Sequence, residues 1–239
     1  MKPKYIRALA LLVLLAANGA DAGVFSVTPV RIYMVPKDRA VAVTITNEAY
    51  EPVVLQADVY EWKQTAEGED QLVPSEDLIL APPIVKLAGR ARQVVRLARL
   101  QPPDASRQLT YRLILRELPE AGASKGINVP IALALSMPVF ITPPLAKHRT
   151  SCTANRDERD GAPRIVCSNT GTAYAQVREV DVRKPDGQSV ARFEGGAYIL
   201  PGARKRLALK NGSSVPAGPL QLVVTFDDGD KQTFDVPGF

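Results

Sequence analysis

Apolar and polar positions alternate with a period of two through most of the chain beyond residue 22. Val41-Ala42-Val43-Thr44-Ile45-Thr46 is the clearest case; Val94 to Leu97 and Tyr111 to Leu115 follow in looser form. Such alternation places successive side chains on opposite faces of a strand, whereas a helix repeats about every 3.6 residues. Twenty prolines and closely spaced turn signals leave little room for long helices. The pattern predicts an all-β protein.

The chain also repeats its own punctuation. An Asn-led turn, Asn47 to Pro52, precedes the expected strand Val53–Tyr60, and Asn169 to Ala173 precedes Tyr174–Val182. Leu87-Ala88-Gly89-Arg90 introduces Gln93–Leu97, as Leu200-Pro201-Gly202-Ala203-Arg204 introduces Lys205–Leu209. This order suits two immunoglobulin-like β-sandwich domains joined at an angle, each with about seven short strands. Thr142-Pro143-Pro144-Leu145 is the expected joint, because paired prolines interrupt ladder bonding and stiffen the chain. The expected division is therefore 23–144 and 145–239.

Residues 1–22 read as a cleaved signal peptide: a basic start, an apolar run from Ala8 to Ala17, and the small-x-small site Ala20-Asp21-Ala22. The run is about half the length of roughly 20 residues that a membrane span needs. Export also changes the meaning of the charge and the cysteines. The whole chain carries 30 basic and 25 acidic residues; removing Lys2, Lys4, Arg7 and Asp21 leaves 27 and 24, a net +3. That surplus builds no phosphate-binding face, so nucleic acid is not an expected partner. Cys152 and Cys167 flank a short loop, and in an oxidising compartment the expectation is a disulfide worth about 3 kcal/mol in the chain-entropy account. A redox role is not expected, since they form no C-x-x-C motif.

Enzymatic chemistry finds little support. The one histidine, His148, has no Ser or Asp arrangement near it in sequence, and two cysteines cannot build a zinc ribbon or an iron–sulfur cluster. Asp227-Asp228-Gly229-Asp230 lacks a calcium loop's ligand spacing and closing Glu, and reads as a hairpin turn between Leu222–Phe226 and Gln232–Val236. Asp157 to Gly161 reads as a solvated hairpin between the cysteines, and Arg90, Arg92, Arg96 and Arg99 as the wet face of a strand. Trp62 belongs either to the core or to a sheet surface. No cofactor, metal or small-molecule substrate is expected.

One stretch asks for a separate explanation. Val129 to Ile141 is thirteen residues with no charge, its bulky side chains Val129, Ile131, Leu133, Leu135 and Met137 alternating with alanines and Ser136. Two readings fit: a fully buried central strand, or an edge strand whose apolar face is left for a partner. Pro130 and Pro138 are compatible with an edge.

Taken in order, several segments resemble the periplasmic chaperones of chaperone–usher pilus assembly, the PapD-like family, and within it the archaic branch. They are Thr28-Pro29-Val30-Arg31-Ile32, Asn47-Glu48 through Tyr60-Glu61-Trp62, Asp77 to Ile84 with its paired prolines, Tyr111-Arg112-Leu113-Ile114-Leu115-Arg116-Glu117-Leu118-Pro119, and Ser136-Met137-Pro138-Val139-Phe140. The resemblance runs through the first domain; the second matches only in layout. It implies a non-enzymatic protein of the bacterial periplasm that lends a strand to pilus or fimbrial subunits lacking one, before delivery to an outer-membrane usher. By that resemblance Ile131, Leu133 and Leu135 are the central donor residues, with Val129 and Met137 at the margins. Burying three such side chains contributes about 5–9 kcal/mol gross. The resemblance further implies that basic residues clasp the subunit's terminal carboxylate. Arg31 matches the first; the usual second, a lysine, falls near Ser136, so Arg112 or Arg116 takes its place. A charge-assisted bond of this kind is worth roughly 1.5–3 kcal/mol. Self-association of the free chaperone by capping its own edge stays open. Three competing readings are an exported carbohydrate-binding or adhesive sandwich, a pilus subunit, and an exported hydrolase. The first predicts an aromatic platform in a chain with 6% aromatics, the second a single incomplete domain, and the third would rest on the lone histidine, His148.

Overall fold

The computed structural model describes residues 25–118, 132–156, 163–209 and 215–237, all strands, turns and loops without a helix. The expected signal peptide, 1–22, lies outside the described residues. In chain order the first part contains β1 (Phe25–Thr28), β2 (Ile32–Met34), β3 (Ala40–Asn47), β4 (Val53–Gln64), β5 (Asp70–Pro74), β6 (Leu78–Ala81), β7 (Ile84–Leu87), β8 (Arg92–Arg99), β9 (Leu109–Glu117) and β10 (Ala134–Ile141). One sheet has the order β1-β3-β8-β6; the other has β2-β10-β9-β4-β5, with β7 beside the first half of β4.

The alternation read from the sequence becomes the core between these sheets. Val43, Ile45, Val95 and Leu97 meet Leu55, Leu113, Leu115 and Val139, all essentially without solvent contact. Each such side chain contributes about 1.5–3 kcal/mol on burial. There are ten strands here rather than about seven, and two of the extra ones arise where a proline divides a run between the two sheets. Pro29 separates β1 from β2, and Pro82-Pro83 separates β6 from β7, each time moving the chain from one sheet to the other. A proline has no N–H to continue the ladder it interrupts.

The second part contains β11 (Thr150–Arg156), β12 (Pro163–Asn169), β13 (Ala175–Arg183), β14 (Ser189–Ile199), β15 (Arg204–Leu207), β16 (Leu220–Phe226) and β17 (Lys231–Val236). Its sheets are β11-β12-β15 and β14-β13-β16-β17, closing on Ile165, Cys167, Val177, Val180, Leu222 and Val224. Cys152 and Cys167 face each other on antiparallel neighbours and are joined by a disulfide.

The repeated punctuation has a structural cause. Asn47 and Asn169 are both fully buried, and each staples the turn after its strand to a distant turn. Asn47 Nδ2 donates to Glu51 O and Ala88 O at 2.8 and 3.0 Å, while Oδ1 accepts from Ala49 N at 3.0 Å. Asn169 Nδ2 donates to Ala173 O and Ile199 O at 2.8 and 2.9 Å, while Oδ1 accepts from Gly171 N and Arg149 N at 2.9 and 3.1 Å. In both sandwiches an amide side chain satisfies backbone groups that would otherwise be buried without partners.

Candidate functional site

β10 is paired along one flank and bare along part of the other. All eight of its residues pair antiparallel with β9, but β2 runs parallel beside only Val139, Phe140 and Ile141. Among the described residues no strand covers the β2 flank of Ala134 to Pro138. The same gradient shows in burial. Leu133 and Leu135 are half-buried against the sandwich core, Ala132, Ala134 and Ser136 are exposed, and the strand from Met137 onward is buried. Met137, expected at the margin of the donor strand, is 4% exposed and packs in its own core beside the β2-covered end. Val129 and Ile131 lie outside the described residues. The two readings thus divide the described part of this segment, with its end a buried strand and Ala134 to Ser136 an open edge.

The outer face of the same sheet supplies a second feature. Tyr33 on β2, Phe140 on β10 and Trp62 on β4 point away from the sandwich core and meet Tyr174, Tyr198 and Leu200 of the second domain. Phe140 stacks on Tyr174 with ring centroids 4.1 Å apart, and Trp62 meets the edge of Tyr198 at 5.2 Å. Trp62 is therefore a surface residue of its sheet that is buried because the second domain covers it. Aromatic pairs in these arrangements add about 0.5–1.5 kcal/mol each beyond their buried area.

Two arginines border this aromatic floor. Arg31, between β1 and β2, has its guanidinium carbon 5.5 Å from the centre of the Tyr198 ring; Arg112, on β9, lies 5.7 Å from the same centre and 3.7 Å from that of Trp62. They are held differently. Arg31 Nη1 donates to Asp227 Oδ2 at 2.7 Å and to Tyr33 Oη at 3.1 Å, and Nη2 donates to Gln176 Oε1 at 2.8 Å. Arg112 has no hydrogen-bond partner among the described residues and is held by its faces. Arg116 is spoken for elsewhere, paired with Asp58 and donating to Tyr60 Oη at 3.2 Å. Of the two alternatives for a partner to Arg31, the one beside it is Arg112. Ser136 sits two residue pairs along the β9–β10 ladder from Pro138, which faces Arg112, and the Arg112 guanidinium lies over Trp62 of β4.

The electrostatics follow from this packing. Burial lowers the Arg112 pKa, with Asp70 and Tyr198 opposing, yet a guanidinium remains charged at any physiological pH. For Arg31 burial also acts against the charge, but the hydrogen bond to Tyr33 and the neighbouring phenols outweigh it and the net shift is upward. Burial, the hydrogen bond with Tyr33 and the charge of Asp227 together raise the Tyr174 phenol far above the ordinary range. The cleft thus holds two guanidiniums, that of Arg31 paired with Asp227 and that of Arg112 without an ion-pair partner among the described residues, so Arg112 is placed to meet an anionic group.

Asp227 is the residue that sequence reasoning missed. Its Asp-Asp-Gly-Asp run does form the β16–β17 hairpin turn, with Gly229 at a φ of 88°. The run was read only as turn chemistry, and nothing local signals that Asp227 crosses the cleft to Arg31. His148 donates or accepts at Thr150 Oγ1, 3.1 Å away, and lies against Phe226, a packing role.

An open-edged strand and a basic, aromatic-floored cleft between two sandwiches are features that suit the binding of another protein chain. The chain belongs to the pili and flagellar-assembly chaperone family, whose PapD N-terminal domain matches residues 24–147, just over half of its length. It is a pilus-assembly chaperone of that family. Its fold is shared by solved chaperones at low identity. A chain of the CsuC–CsuE chaperone–tip adhesion subunit pre-assembly complex, from the archaic chaperone–usher Csu pili of Acinetobacter baumannii, is 18% identical with a TM-score of 0.65. That match covers 90% of this chain and 98% of the other. The Escherichia coli chaperone DraB is 19% identical with a TM-score of 0.60 over 89% and 95% of the two chains. The Pseudomonas aeruginosa chaperone CupB2 is 17% identical with a TM-score of 0.57 over 89% and 99%. No protein of curated function matches the chain at a significant level.

Proposed function

We propose that this chaperone, exported to the periplasm after removal of residues 1–22, completes pilus subunits by lending them the open flank of β10 and then passes them to an outer-membrane usher. Leu133 and Leu135, with Ile131 and Val129 ahead of them, fill the subunit's apolar groove, while Arg31 and Arg112 clasp its terminal carboxylate. The observation that carries this reading is the bare β2 flank of Ala134 to Pro138 beside half-buried leucines. Backbone groups on such a flank supply generic adhesion, and alternate side chains supply the fit. Assignment to the archaic branch rests on Ser136 standing where other members place a lysine, and on the likeness to the Csu chaperone. The expected domain division, 23–144 and 145–239, is retained in this reading. Binding of this sort calls for neither nucleotide nor metal.

Co-expression with exported sandwich proteins encoded beside it tests the proposal. A one-to-one periplasmic complex is expected. Arg31→Ala and Arg112→Ala should each reduce its recovery by about tenfold or more, as loss of one charge-assisted carboxylate bond predicts, with the chaperone still folded. Normal recovery from both variants removes the anchor role.

A further inference from the structure

The cleft's two tyrosines belong to the second domain, yet side chains of the first domain hold their backbones. Gln64, two residues beyond Trp62 on the same face of β4, behaves as a piece of strand. Its Nε2 donates to Tyr198 O at 3.1 Å and its Oε1 accepts from Leu200 N at 2.8 Å, bracketing the chain on both sides of Ile199. Gln108, just ahead of β9, repeats the device at the other end of the floor. Its Oε1 accepts from Tyr174 N at 2.9 Å, its own backbone N donates to Thr172 O at 2.9 Å, and its Nε2 donates to Thr142 Oγ1 at 2.7 Å at the joint. Gln108 is 6% exposed, so its amide finds no ready substitute in water.

The β4–β5 turn presses the first bracket into place. Arg204 N donates to Ala66 O at 3.0 Å, and Lys205 Nζ donates to Gly68 O. Gly68 has a φ of +84°, and a Cβ there would stand 2.3 Å from Arg204 O. Only glycine permits both this conformation and this approach.

We propose that Gln64 and Gln108 are positioning residues for the anchor cleft: they hold Tyr198 and Tyr174 where Arg112 and Arg31 require them before a subunit arrives. Arg112 depends on this most, because it has no hydrogen-bond or ion-pair partner among the described residues and its guanidinium lies on the Trp62 and Tyr198 rings. A guanidinium held flat by rings keeps its five donors free and its orientation set, so less entropy is lost when a carboxylate binds. The inference rests on reading the cleft as the carboxylate anchor, but its first readout does not.

Trp62 is the one tryptophan of the chain and lies under Tyr198, so its emission reports the bracket directly. Gln64→Met and Gln108→Met keep side-chain length and remove the amide. In the double variant the Trp62 emission should shift to the red by several nanometres and its quenching by acrylamide should rise about twofold or more, with the far-ultraviolet β signal unchanged. Recovery of the subunit complex should fall about tenfold, the equivalent of one or two lost hydrogen bonds. Gly68→Ala should move Trp62 in the same direction while leaving both glutamines in place. Unchanged Trp62 emission and quenching in the folded double variant overturns the inference, even if the arginine variants lose the subunit. Should Trp62 respond while the arginine variants recover the subunit normally, positioning of the tyrosines stands and the anchor reading falls.

Discussion

Leu135→Asp, combined with Leu133→Asp, is expected to abolish recovery of a subunit complex, by about a hundredfold or more, while the free chaperone melts within a few degrees of its ordinary temperature. The asymmetry comes from where the two leucines sit. Both are half-buried at the rim of the first sandwich, ahead of the point where β2 begins to cover β10. In the free chain a carboxylate at either place can reach water. Inside a subunit's groove it would replace about 1.5–3 kcal/mol of apolar burial with an unpaired charge, twice over. Val139→Asp supplies the contrast. Val139 is fully buried in the same register, so that substitution should unfold the first sandwich rather than spare it. The measurement pairs thermal melting with periplasmic co-purification. Undiminished recovery of the complex from the Leu133/Leu135 variant would mean that this strand is not the one lent.

Legibility in the sequence followed the range of the interactions. Strands came through because alternation is local: Val41 to Thr46 reads as a strand and is one, with Val43 and Ile45 inward. The Asn-led turns came through because each asparagine binds backbone a few residues away, at Glu51 or Ala173, even though its other partners are distant. The extra strands of the first sandwich were hidden, since a proline marks a break in a ladder but does not say that the chain resumes in the opposite sheet. The open edge could be named but not located. Thirteen uncharged residues look alike in sequence, and only the reach of β2, which stops at Val139, divides the buried part from the bare part. Arg31 and Arg112 were reached through resemblance. What supports them, Asp227 and Gln176 around one and Trp62 and Tyr198 around the other, spans separations such as 196 and 145 residues, which no local pattern records.

Asn169→Ala should be the most costly single substitution in the second sandwich for its size, and it should also loosen the cleft. Two carbonyls and two N–H groups lose their partner in a site with no solvent contact, which at about 1 kcal/mol per bond amounts to roughly 3–4 kcal/mol. For a sandwich of this size that corresponds to a fall in melting temperature of about 10–20 °C. Asn47→Ala should cost the first sandwich somewhat less, about 2–3 kcal/mol, since its staple makes three such bonds where Asn169 makes four. The two differ in what they touch. The carbonyls that Asn169 binds belong to Ala173 and Ile199, each adjacent to a cleft tyrosine, Tyr174 and Tyr198. Those carbonyls share their peptide groups with Tyr174 N and Leu200 N, which Gln108 and Gln64 hold, so releasing them loosens both tyrosine segments at the brackets themselves. Trp62 should therefore become more quenchable in Asn169→Ala well below the melting transition. In Asn47→Ala, whose partners lie away from the cleft, it should stay protected until the domain melts. A loss below about 1 kcal/mol in Asn169→Ala would mean that water replaces the amide, and equal behaviour of Trp62 in both variants would mean that the staple does not act on the cleft.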